Sequence, residues 1–108
     1  MSGKPSAEAK VALRDLVRAT ARRRAVITYP EAAEAHPELP KTGTHMGKVI
    51  GNLLADINKD EGILLSCVVV QNGTLLPGPG FYTLKGAPRT LDRYYALLRK
   101  VWKRYGSN

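Results

Sequence analysis

The chain has 108 residues, 44% of them apolar and 24% charged, enough for one hydrophobic core and too few for two. Seventeen lysines and arginines against nine acidic residues leave a net charge of +8, and so strong a surplus on so small a domain points to nucleic acid. A single cysteine excludes an internal disulfide, one Cys with two His falls short of the usual structural zinc site, and the longest apolar run, Ile63 to Val70, is far below a membrane span.

The charge is unevenly spread. Residues 1–24 carry net +5, residues 25–84 net −3 and residues 85–108 net +6. Two basic ends that fold side by side would make one positive surface whose hold on a polyanion weakens with salt. A single domain over residues 1–108 is expected, with residues 1–5 as a flexible tail. The polar start carries no secretory pattern, so a cytoplasmic protein, nucleoid-associated if it binds DNA, is the expectation.

Ser6 can cap a first helix running from Ala7 to about Arg23, with Glu8 in its first turn. Ala9, Leu13, Leu16, Val17 and Thr20 share the core face. Lys10, Arg14, Arg18 and Arg22 step by four along another face as a basic ridge, and Arg22, Arg23 and Arg24 suit the helix C-terminus. Ala25 to Thr28 reads as a short strand. Pro30 opens a second helix to about His36, which Pro37 and Pro40 stop.

The third helix, Thr44 to Lys59 with Thr42 or Thr44 as cap, has the cleanest pattern. Met46, Val49, Ile50, Leu53, Leu54 and Ile57 form its buried stripe. His45, Lys48, Asn52, Asp56 and Lys59 lie opposite. Gly47 and Gly51 weaken the helix, which implies close approach of another backbone.

After a turn at Asp60 to Gly62, Ile63 to Val70 reads as a buried strand. Gln71 to Gly73 turns the chain, Thr74 to Gly80 is a loop or hairpin tip, and Phe81 to Leu84 is the expected return strand. A last helix over residues 90–105 is capped by Thr90. Its stripe of Leu91, Tyr94, Tyr95, Leu98, Val101, Trp102 and Tyr105 either completes the core or docks on a partner, a homodimer being the simplest such partner.

The fold class expected is therefore α+β. Three helices followed by a two-stranded hairpin resemble a winged-helix domain with an extra C-terminal amphipathic helix. That resemblance implies a recognition helix at Thr44 to Lys59 in the major groove and a wing at Gln71 to Tyr82. His45, Lys48 and Asn52 would face bases, and Thr42 and Thr44 would meet phosphate at the helix N-terminus. The runs "ITYPEAAEA" (Ile27 to Ala35) and "SCVVVQNGTL" (Ser66 to Leu75), with the Gly-containing helix between them, also resemble the C-terminal domain of DNA alkyltransferases and alkyltransferase-like proteins. Those repair enzymes flip a damaged base and move its alkyl group to a Cys in Pro-Cys-His-Arg. Here the run is Ser66-Cys67-Val68-Val69, without the activating His or the Arg, so Cys67 reads as a buried core residue.

No catalytic set, metal site or cofactor motif is expected. His36 and His45 have no nucleophile partner, and Gly78 to Gly80 is not a phosphate loop. The function expected is a small non-enzymatic DNA-binding protein, regulatory or architectural. Its contacts would come from Arg14, Arg18, Arg22, Arg23, Thr44, His45, Lys48, Asn52, Lys85, Arg89 and Arg93. Because the wing has no Lys or Arg, the DNA has a second route across the first and last helices. Basic ends suit RNA as well as duplex DNA. The competing class is a protein-docking module that uses the aromatic C-terminal helix or the Leu75-Leu76-Pro77 tip.

Overall fold

A computed structural model of the chain describes residues 6–106. The expected tail over residues 1–5 lies outside the described residues.

Local signals set most element ends. Helix α1 spans Ala7–Arg22, and the Ser6 hydroxyl accepts the Ala9 N–H to cap it. The same hydroxyl also donates to the Glu38 carboxylate. Strand β1 is only Ile27–Thr28. Helix α2, Tyr29–Ala33, opens with a capping box in which Thr28 and Glu31 satisfy each other's backbone N–H groups. It ends three residues before the expected His36. Lys41 closes that end, with its ammonium donating to the carbonyls of Ala33 and His36.

Helix α3 spans Gly43–Glu61 and stops at Gly62, whose φ of +70° suits a residue without Cβ. Its stripe of Ile50, Leu53, Leu54 and Ile57 is buried as the spacing requires. Helix α4 spans Leu91–Tyr105, with the Thr90 hydroxyl accepting the Arg93 N–H.

The expected hairpin is not formed. Leu65–Val68 is a 3-10 helix, and only Val69–Val70 is strand, named β2. β2 pairs with β1 in parallel, Ile27 opposite Val69 and Thr28 opposite Val70. A parallel pair needs a crossover, and α2 with α3 supplies it. The reason for the 3-10 helix at residues 65–68 is tertiary. Buried Asn58 accepts the Ser66 N–H at 3.0 Å and donates to the Ser66 hydroxyl at 2.8 Å, which turns the chain off the extended path. The expected return strand is also a 3-10 helix, Pro79–Thr83, and the Thr83 hydroxyl closes it on the Gly80 carbonyl. The described residues are thus mixed α and β, four α-helices with one two-stranded parallel sheet.

The Leu65–Val68 segment is the axis of the core. Helices α1, α3 and α4 all pack on it, and Leu65, Cys67 and Val68 have no exposed surface. The α4 stripe completes this core within the same chain. Tyr94, Leu98 and Val101 are buried, the Tyr94 hydroxyl donates to the Cys67 carbonyl at 2.8 Å, and the Trp102 indole donates to the Ala25 carbonyl at 3.0 Å. Only Leu91 and Tyr95 of the stripe remain exposed. The surface expected for a homodimer or a docked protein is therefore mostly used in cis. No helix among the described residues is long and apolar enough to cross a membrane.

Candidate nucleic-acid interface

The basic ends converge, since α1 packs on α4, but the α1 ridge is not an open positive field. Arg18 meets Glu61 through two bonds, Nε at 3.0 Å and Nη2 at 2.5 Å. The Glu61 side chain is only 8% exposed and also accepts the Tyr105 hydroxyl at 2.6 Å. Arg104 donates to the Glu61 carbonyl. Lys10 pairs with Asp60 at 2.8 Å and feels Asp56 as well, while Arg14 pairs with Asp15 at 3.0 Å. The acidic end of α3 thus faces the basic ridge of α1 and forms a seam between the two helices. Of the ridge, Arg22 stays exposed and makes no ion pair with a described residue, as does Arg23 beyond it. The Arg18 guanidinium holds the Glu61 carboxyl below its ordinary range, against the effect of burial, and Tyr105 adds to the lowering. The Tyr105 phenol is pushed up to about 12, first by burial and then by its bond to Glu61.

The other end of α3 is different. Thr44, Lys48 and Asn52 are exposed and recur every four residues, so they form one polar stripe. The stripe borders a groove of about 690 Å³ whose other walls are Tyr29, Phe81 and residues of the 71–84 loop. From Lys48 to Glu61 is roughly 20 Å along the helix, so the groove and the α1–α3 seam are separate places. His45 is exposed on the first turn but does not border the groove. The first turn of α3 holds no acidic residue, which leaves its positive dipole end uncompensated.

The groove wall opposite α3 is stiffened by its own hydrogen bonds. Gln71 N–H donates to the Leu76 carbonyl at 2.8 Å, Leu75 N–H to the Gln71 carbonyl at 3.0 Å, and the Gln71 amide to the Pro77 carbonyl at 3.3 Å. Tyr29 sits below this wall. Burial pushes its phenol up, and a bond from the Gly78 backbone acts against that. Phe81, 5% exposed, anchors the loop on the core through an edge-to-face contact with Tyr94.

Gly47 and Gly51 correct an expectation. A Cβ at either would meet nothing within 4 Å, so no other backbone approaches them. Both instead border the groove, where they keep its α3 side low.

Lys85, Arg89 and Arg93 line a second hollow, which shares Thr83 and Leu84 with the groove. The eleven expected contacts therefore separate. Thr44, Lys48, Asn52, Lys85, Arg89 and Arg93 border two adjoining depressions, whereas Arg14 and Arg18 belong to the seam. Sequence reasoning placed Gln71, Asn72 and Tyr82 within the expected wing without singling them out and missed Tyr29, because their place depends on how the 71–84 loop folds back. The tyrosine in "ITYPEAAEA" was the one available signal.

Cys67 is buried in the 3-10 segment, and desolvation pushes its thiol up to about 12. Compared with models of protein families, with curated proteins and with solved structures, the chain matches none.

Proposed function

We propose that the chain is a small non-enzymatic DNA-binding protein, regulatory or architectural. In this reading it is a winged-helix relative of the alkyltransferase-like C-terminal domain that lacks their chemistry. α1, α2 and α3 stand in helix-turn-helix order, and the 71–84 loop takes the place of a wing. The N-terminal half of α3 enters the major groove.

One observation carries this reading. Thr44, Lys48 and Asn52 form an exposed stripe on α3 that borders a groove with no carboxylate in its lining; Asp56, one step of four further along the stripe, does not line it. Lys suits guanine or phosphate, Asn suits the paired edge of adenine, and Thr44 suits phosphate at a helix N-terminus. Lys85, Arg89 and Arg93 extend the positive surface beyond the groove. The absence of alkyl-transfer chemistry is supported by Cys67, which is buried, holds its proton at neutral pH and lacks an adjacent base. The competing protein-docking reading loses most of the α4 stripe to the core.

Anisotropy titrations of duplex DNA at several salt concentrations test the proposal. About six phosphate contacts give a log–log slope near −5. Lys48→Ala should weaken binding to all sequences. Asn52→Ala should cost about 1–3 kcal/mol at one preferred base and little elsewhere. Absence of duplex binding at low salt overturns the proposal. Loss of binding only on Arg22→Ala and Arg23→Ala moves the contact to α1.

A further inference from the structure

The second hollow differs from the groove in its chemistry. It measures about 700 Å³, and its lining has three cations, Lys85, Arg89 and Arg93, and no carboxylate. None of the three makes an ion pair with a described residue, whereas Lys10, Arg14 and Arg18 all do. Asp92 neighbours Arg93 in sequence but does not line the hollow. Three unmatched positive charges around one depression fit an anion with several charged oxygens spaced along a chain.

The remaining feature is Tyr82, which lines the hollow and is 45% exposed. Its ring meets Phe81 edge to face, with centroids 5.5 Å apart and planes at 84°. Phe81 is buried and meets Tyr94 the same way at 6.4 Å. Tyr82 is thus an exposed ring held on a buried aromatic row, so little ordering is needed when something stacks on it. An aromatic face beside cations is what a nucleotide strand requires, with base on ring and phosphate on cation. Bases inside a duplex have their faces covered by neighbours, so Tyr82 can serve only a base that has left the stack.

The geometry points to a subsite for an unpaired nucleotide. Tyr82 stacks its base, and Lys85, Arg89 and Arg93 hold the flanking phosphates. The hollow adjoins the α3 groove, with Thr83 and Leu84 lining both, so a strand leaving a duplex on α3 has only those two residues to pass. The protein then prefers a duplex with a single-stranded extension to a blunt one. This inference rests on the nucleic-acid reading above.

The test compares three labelled probes at one ionic strength: a blunt duplex, the same duplex with a short single-stranded overhang, and the same overhang made abasic. The overhang should bind about tenfold tighter than the blunt duplex, the size of one base–aromatic stack. The abasic overhang should lose most of that gain. Tyr82→Ala should lose it too, and Tyr82→Phe should keep it. Paired substitution of Arg89 and Arg93 by Ala should weaken both overhang probes alike. Equal binding of blunt and overhang probes overturns the subsite, as does an overhang preference that survives Tyr82→Ala. Blunt-duplex binding without preference removes the subsite alone. Binding of the overhang without the blunt duplex keeps the subsite and removes the α3 contact. No binding of any probe removes both.

Discussion

Replacing Gly47 and Gly51 by alanine should move stability and binding in opposite directions. In a helix interior, alanine is favoured over glycine by just under about 1 kcal/mol. The added methyls meet nothing within 4 Å, so no packing penalty offsets that gain. Gly47 lies in the second turn of α3 and contributes less than Gly51, which puts the pair at about 1.5–2 kcal/mol. For a domain of this length that is a rise in Tm of about 7–9 °C, read by circular dichroism. Both methyls also stand on the groove side of α3. If duplex DNA approaches that side closely, two extra methyls should weaken binding about tenfold, the lower part of the range for overfilling a packed contact. A double variant that melts no higher refutes the propensity argument. One that melts higher and binds DNA as before shows that DNA does not approach this side of α3.

Glu61→Gln should lower stability by about 1–2 kcal/mol, since it removes the charge facing Arg18 while Arg18 itself stays partly hydrated. The folded carboxyl titrates below its ordinary range, so its contribution is complete above the unfolded pKa and fades as pH falls through the folded one. Melts from pH 7 down to pH 3 should therefore show parent and variant converging in acid, and a constant gap would sink the assignment. Glu31 and Glu38 are lowered as well, so the variant also loses stability in the same window, only less than the parent. Leu75 is 59% exposed with φ of +58°, so Leu75→Gly should leave stability unchanged or raise it by up to about 1 kcal/mol; a clear drop in denaturant midpoint would show that the side chain packs. The Cys67 thiol should react with a disulfide reagent only as fast as the protein opens, and a rate near that of a free thiol in the native state would contradict its burial.

Capping chemistry and helical spacing made most of the α-helical frame legible. Ser6, Thr90 and Gly62 mark ends that a side-chain oxygen or a left-handed glycine dictates locally. The Ile50 to Ile57 stripe needed only its period. Residues 63–70 misled because burial from several sides and β-branching look alike in a strand and in a coiled core segment. The Asn58–Ser66 and Tyr94–Cys67 bonds that decide the matter join separate elements. The α1 ridge misled for a similar reason, since Asp60 and Glu61 lie more than forty residues from Lys10 and Arg18. Within the candidate site, Thr44, Lys48 and Asn52 were readable because a helix fixes their common face. Gln71, Asn72 and Tyr82 were not, because the fold-back of residues 71–84 places them, and Tyr29, at the start of α2, borders the site only because that segment folds over it.

The two ends of α3 differ sharply in charge, although the middle of the chain is net acidic. Asp56, Asp60 and Glu61 gather at the C-terminal end, against Lys10, Arg14 and Arg18. Their negative charge is largely met inside the fold, and it welds α1 to α3. The N-terminal end has the positive pole of the helix dipole, Lys48 and no first-turn carboxylate. A phosphate chain approaching α3 is therefore drawn to one end and gains nothing at the other. Lys85, Arg89 and Arg93 adjoin the attractive end through the shared Thr83 and Leu84. Net charge alone would have spread the attraction over both basic termini. The pairing of Lys10, Arg14 and Arg18 removes part of it from the α1 face, where Arg22 and Arg23 make no ion pair with a described residue, and leaves the cations of the α3 groove and its neighbouring hollow unmatched by any described carboxylate.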